Sequence, residues 1–180
     1  MKCKASDIVE ALIKRAKESD LIWVEELRLN SGSSRVDFWT MKPHASTGFN
    51  AVSYEIKVSK QDFKKDSLEK QTQALSFCDK FYFVMPVGLI DKSEIPEWAG
   101  LIEYNGLLKV VKRAPKKEQK SHPNWDFVTS ILRNSAKFGR DTDIFRKQIS
   151  DLQVNLAQEK RETVIFKRLY ERSVEKIQGE

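Results

Sequence analysis

The chain is predicted to fold as a mixed α/β protein with an α-β-β-β-α-β core, a hairpin after it and a helical C-terminal extension. Two observations predict the core. The apolar period switches repeatedly between helical spacing and strict alternation. Turn-forming Gly, Ser, Asn and Pro residues fall where the period switches. A third observation predicts the extension: beyond Pro115 the composition turns polar, and from Asp141 onward there is no Pro and the only Gly is Gly179.

The elements follow in order. Ser6 to Glu18 carries Ile8, Val9, Leu12, Ile13 and Ala16, one apolar face of a helix with Ser6 as its N-cap. "LIWVEELRL" (Leu21 to Leu29) is rich in β-formers, "NSGSS" is a turn, and "RVDFWTM" (Arg35 to Met41) is a second strand. "KPHASTG" is a loop before a third strand, Asn50 to Ser59. From there "SKQDFKKDSLEKQTQALSFCDK" places Phe63, Leu68, Ala74, Leu75 and Phe77 among charges, a single helix starting at Ser59 or Gln61. "KFYFVMPVG" is a fourth strand, and "GLIEYNGLLKVVKRAP" is a hairpin with Asn105-Gly106 as its tight turn.

Two domains are expected: residues 1–118 as the α/β domain and 119–180 as the extension. The extension opens with a polar linker and a short amphipathic helix, Trp125 to Phe138. Then Phe145, Ile149, Leu152, Leu156, Phe166, Tyr170, Ser173 and Ile177 space by alternating threes and fours, with Glu159 and Thr163 as breaks. That seam either pairs with itself as a coiled coil, or with another protein, or docks on the domain.

Composition narrows the classes. With 180 residues, 40% of them hydrophobic, including ten Phe, four Trp and four Tyr, the chain can bury a real core. No apolar run approaches the roughly 18 residues of a membrane span, and "MKCKASDIVE" lacks the apolar stretch of a signal peptide. Cys3 and Cys78 form no zinc or redox spacing, so a reduced cytoplasmic protein with free thiols is expected. A net charge of +6 favours an acidic partner such as nucleic acid, although acids and bases are interspersed. The six bases between Lys109 and Lys120 suggest a phosphate rail or a solvated hairpin end. His44 and His122 are expected at the surface, and the four Trp in the core.

The chemistry concentrates in "AVSYEIKVSKQDF" (Ala51 to Phe63). Alternation puts Ser53, Glu55, Lys57 and Ser59 on one strand face and Val52, Tyr54, Ile56 and Val58 on the other. A solvated Glu-Lys pair would contribute at most about 1 kcal/mol. The preceding strand sets Asp37 between Val36 and Phe38, and a carboxylate among β-formers is costly unless paired or metal-bound. Two acids and a lysine on adjacent strands suit Mg2+ or Mn2+ and a phosphate-bearing substrate.

Asp37 followed by Glu55-Ile56-Lys57, on the second and third strands of this element order, resembles the PD-(D/E)xK nuclease superfamily. "YEIKVSKQDFKKD", "DKFYFVMPVGLI" and "EIPEWAGLIEYNG" are similar to its MmcB-like branch of DNA repair proteins, over roughly Val24 to Pro115. The resemblance implies a restriction-endonuclease-like core. It implies a metal-dependent DNA nuclease acting in repair, phage DNA processing or defence. Asp37, Glu55 and the Ile56 carbonyl would be metal ligands, and Lys57 the catalytic lysine. Glu26 in "ELR" would be an auxiliary acid, with Glu25 and Glu10 as alternatives. Lys70 and Gln71 would contact substrate, and Lys60, Lys112, Arg113, Lys116 and Lys117 would join them in holding DNA. The superfamily's proline is replaced by Val36, which leaves ligation untouched. A reading of another class is a catalytically silent DNA-binding or adaptor module that uses the tail to recruit a partner or to form a homo-oligomer.

Overall fold

The computed structural model describes residues 3–29, 34–117 and 120–178, with side chains described outside 135–148 and 168–178. Residues 30–33 of the turn expected at "NSGSS" and the seam side chains Phe145, Tyr170, Ser173 and Ile177 lie outside what is described. A six-stranded mixed sheet organises the first unit, its strands lying side by side in chain order. They are β1 (Ile22–Arg28), β2 (Arg35–Met41), β3 (Ala51–Ile56), β4 (Lys80–Pro86), β5 (Gly100–Tyr104) and β6 (Leu108–Lys112). β1, β2 and β3 are mutually antiparallel, β3, β4 and β5 are parallel, and β6 returns antiparallel. The mixed α/β class expected from the sequence is therefore the observed one.

Both faces of the sheet are covered. α1 (Ala5–Glu18) buries Ile8, Leu12 and Ala16, at i, i+4 and i+8, with Phe38, Tyr54, Ile56, Tyr82, Val84 and Ile102. The opposite face sends Trp39, Phe81, Phe83 and Met85 against Phe63 of α2 (Lys60–Lys64) and Ala74 and Leu75 of α3 (Leu68–Ser76). β4 is apolar on both sides, as a parallel strand between two layers must be.

One helix was expected between β3 and β4, and there are two. Ser59 caps α2 by accepting from Asp62 N at 3.1 Å. Ser67 then starts α3, accepting from Lys70 N at 3.4 Å, while its own N–H is taken by Asp66 Oδ1. Ser and Asp compete for backbone groups in this way, and here the competition breaks the helix. The hairpin turn also differs from the two-residue form: Asn105, Gly106 and Leu107 separate the Tyr104↔Leu108 pair, with Gly106 at φ 98°.

At the C-terminal side, α4 runs unbroken from Trp125 to Gln178, and the short helix expected to end at Phe138 is its beginning. Gly139 follows Phe138 within this helix, where a Gly costs only about 1 kcal/mol. Asn124 caps it, accepting from Phe127 N at 2.8 Å. Phe127 stacks on Phe77 at 4.4 Å and meets Trp39 edge-on at 5.5 Å. Trp125, expected in the core, is 82% exposed; Phe127 fills the core place. The two compact units are Met1–Ser135 and Ala136–Glu180, so the sheet domain keeps the first turns of α4 and ends later than residue 118.

Gly100 opens β5 where the Tyr82 ring and the backbone of Ala114 close in. A Cβ there would stand 2.6 Å from Ala114 N. Gly100→Ala is expected to destabilise the domain by about 1–3 kcal/mol, the scale of overpacking, read as a lower urea midpoint at unchanged m-value.

Candidate active site

β2 and β3 part company at their ends. Their ladder runs from Met41↔Ala51 to Phe38↔Tyr54 and stops there. One residue further, the Asp37 side chain replaces the missing backbone partner: Oδ2 accepts from Ile56 N at 2.8 Å. On the other side β3 stays joined to β4, with Lys57 N donating to Val84 O at 3.0 Å. Bonding directions alternate along a strand, so the N–H and C=O of Ile56 both point into the fork beside Asp37.

Glu55 and Lys57 occupy the sheet face under α2 and α3, as alternation along β3 predicts. They are not solvated. Their side chains are 12% and 10% exposed, and Lys57 Nζ lies 2.9 Å from Glu55 Oε1. The α2–α3 break adds two carboxylates that sequence reasoning passed over: Asp66 Oδ2 at 3.0 Å and Asp62 Oδ2 at 3.8 Å from the same ammonium. Asp66 Oδ1 is held in turn by Gln71 Nε2 at 2.9 Å. A signal was present, since Asp62 and Asp66 are four apart with Gln71 five further on, but it needed the helix break to be seen.

Glu55 Oε2 is completely buried and has no hydrogen-bond partner among the described residues. Burial first, then the Asp37 charge, push the Glu55 carboxyl up to about 7, with Lys57 pulling the other way. Asp37 is also raised, mainly by burial, against the Ile56 hydrogen bond and the charge of Lys57. For Lys57 burial opposes the charge, but the Glu55 and Asp66 carboxylates outweigh it and hold the ammonium protonated well above its ordinary range.

Register and element separate the three acids Glu26, Glu25 and Glu10. The β1–β2 pairs Glu25↔Phe38 and Leu27↔Val36 leave Glu26 opposite Asp37. Glu26 has φ 48°, a left-handed strand residue, and the alternation of β1 slips there, so Val24, Leu27 and Leu29 are all buried. Its carboxylate lies 3.4 Å from Arg35 and adds to the raising of Asp37. Glu25 pairs with Phe38, whose ring lies on the α1 face, and Glu10 belongs to α1 itself.

A cleft of about 450 Å³ opens over this cluster, lined by Arg35, Glu55, Lys57, Asp62, Lys65, Asp66, Glu69, Lys70 and Gln71 among others. Lys70 and Gln71 line this cleft, and the Gln71 amide donates to Asp66. Lys60, at the start of α2, is exposed. The Lys109–Lys120 bases are not brought to the cleft. Lys112 donates to the carbonyls of Ile95 and Pro96, and Lys117 to that of Leu75. Beyond β6 the chain passes Asp79, at the end of the sheet where β3 and β4 begin, away from the fork. Arg113 and Lys116 on that stretch are exposed. His44 and His122 are exposed as expected, and Cys78 is buried with its thiol pushed up by burial. Among the described residues no group of three or more His, Cys, Asp or Glu is placed to hold a metal ion, and no helix is long and apolar enough to cross a membrane.

No protein-family model matches the chain, and no curated protein matches it. Among solved structures it is similar to SPO1766, a protein of unknown function from Silicibacter pomeroyi, at 22% identity and a TM-score of 0.58, over 77% of this chain and 88% of that one. At that identity the likeness supports the fold.

The raised carboxyls give stability a pH dependence. Between the ordinary Glu value of 4.5 and about 7, the folded protein retains a proton on Glu55 that the unfolded chain releases. Metal-free stability should therefore be highest at the acid end of this window and fall as pH rises through it, by roughly 1–3 kcal/mol. Urea denaturation at several pH values should show this slope, and Glu55→Gln should flatten most of it.

Proposed function

We propose that the protein is a divalent-cation-dependent DNA nuclease of the PD-(D/E)xK type, hydrolysing phosphodiester bonds at the β2–β3 fork. The observation that carries this reading is the buried Glu55 Oε2 without a hydrogen bond, beside a fork where Asp37 and the Ile56 carbonyl converge. An oxygen buried in that state costs about 1–3 kcal/mol unless something binds it. Two carboxylates and a carbonyl suit Mg2+ or Mn2+, which take few protein ligands and keep waters and phosphate oxygens. A bound cation would polarise the phosphate and acidify water.

The chain's own residues would do the rest. Lys57, fully protonated, donates to the negative charge that grows on the phosphate oxygens. It is an ammonium donor in this reading and not the base that takes the water's proton. Arg35, Lys65 and Lys70 line the cleft and would hold the DNA backbone by sequence-blind phosphate contacts. Glu26, opposite Asp37, would serve as the auxiliary acid.

A second reading, a silent module that assembles through its tail, is favoured by one observation on α4. Ile149, Leu152, Leu156 and Phe166 of the seam are 52–73% exposed. In that reading the seam pairs with the seam of a second copy. Glu162 and Lys167 then flank it at the two positions whose opposite charges face each other in a parallel pair.

Cleavage of labelled single-stranded, double-stranded and branched DNA with Mn2+ or Mg2+ separates these readings. The parent should cut, and Asp37→Ala and Lys57→Ala should each lose more than about 100-fold in rate. Mn2+ should raise the parent's melting temperature, and Asp37→Ala should abolish that rise. No cutting and no thermal shift would remove the nuclease reading. For the tail, equilibrium sedimentation should give twice the chain mass for the parent and the single mass for Leu152→Glu/Leu156→Glu; a monomeric parent would rule out self-pairing.

A further inference from the structure

The break between α2 and α3 leaves one carboxylate in an unusual position. Asp66 belongs to neither helix, yet its side chain is only 5% exposed. Its two oxygens are held differently. Oδ1 accepts from Gln71 Nε2 at 2.9 Å and from Ser67 N at 3.1 Å, which fixes the carboxylate to the first turn of α3. Oδ2 is buried and faces the Lys57 ammonium at 3.0 Å, an ion-pair contact without a hydrogen bond. Gln71 is itself 6% exposed, so this support is a buried one.

Lys57 needs such support. A lysine carries its charge on a flexible four-carbon stem, and one partner fixes neither its direction nor its reach. Glu55 approaches the ammonium along β3 at 2.9 Å, and Asp66 approaches from the helix layer at 3.0 Å. Asp62 completes the set from further out, at 3.8 Å and 55% exposed. In the proposed nuclease Glu55 would share its charge with a cation, and the hold of Glu55 on Lys57 would weaken when the site is loaded. Asp66 has no such second duty.

We propose that Asp66, braced by Gln71, is a positioning residue that holds the Lys57 ammonium in place at the floor of the cleft. The proposal rests on the nuclease reading for its catalytic consequence, and on the geometry alone for the clamp. Asp66 touches no reacting atom and acts through Lys57. The rival role is structural, closing the α2–α3 turn through the Ser67 N–H, which an Asn side chain would preserve.

The experiment uses the full chain and its Asp66→Asn and Gln71→Ala variants, with two readouts. The first is the 15N resonance of the Lys57 ammonium, assigned by its absence in Lys57→Ala, since only a held ammonium exchanges slowly enough to be seen. It should be present in the parent, lost in Asp66→Asn and weakened in Gln71→Ala. The second is Mn2+-dependent DNA cleavage. A displacement of about 1 Å costs up to roughly 100-fold, so kcat of Asp66→Asn should fall about 10–100-fold with KM within about 3-fold of the parent. A parent without a held ammonium, a resonance unchanged in Asp66→Asn, or a parental kcat in that variant would each overturn the proposal. A parent that cuts no DNA would sink the nuclease reading by itself, and the ammonium resonance would still decide the clamp.

Discussion

Placing an ammonium group on the sheet face beneath two helices obliges everything around it to answer for its charge. A lysine at 10% exposure loses most of its water, and the loss is tolerable only because Glu55 and Asp66 stand within 3.0 Å. From that one constraint several features follow. α2 must stop early enough for Asp66 to turn inward. Gln71 must be buried to hold the second oxygen of Asp66. Burial first, then the charges of Asp37 and Asp66, hold the Glu55 carboxyl above its ordinary range against the pull of Lys57.

The fork of β2 and β3 answers a different requirement, that a strand end present its backbone to something other than a neighbour. An antiparallel pair normally consumes the N–H and C=O of every second residue. Here the pair ends at Phe38↔Tyr54 and Asp37 takes over the next N–H with its side chain. The left-handed Glu26 accommodates the same change on the outer strand by letting β1 slip its alternation without losing register. Asp37, Glu55 and Lys57 thereby gather at one end of the sheet.

Much of this was legible in the chain. Alternation along β3 put Glu55 and Lys57 side by side, and β-formers around Asp37 marked it as a residue with a task. What the sequence could not convey was depth. Period-two patterning says which residues share a face and is silent on whether a helix lies over it, so an exposed pair and a buried one read alike. The Asp66–Ser67 break was hidden for a related reason. Phe63, Leu68, Ala74 and Leu75 fit a helical face well enough to mask a local contest for backbone hydrogen bonds. In the basic run from β6 onward, charge density hid a structural use: Lys112 and Lys117 use their ammonium groups to tie loops down.

Strand order supplies a last consequence. Because β1 to β6 lie in the sheet in the order in which they are made, each new strand finds its partner already in place. Every side chain of the charged cluster, from Glu26 to Gln71, has left the ribosome before β4 begins. The parallel partner that covers β3 arrives next. The half of the sheet that carries the charged cluster can therefore organise during synthesis, and β5 and β6 extend the sheet afterwards.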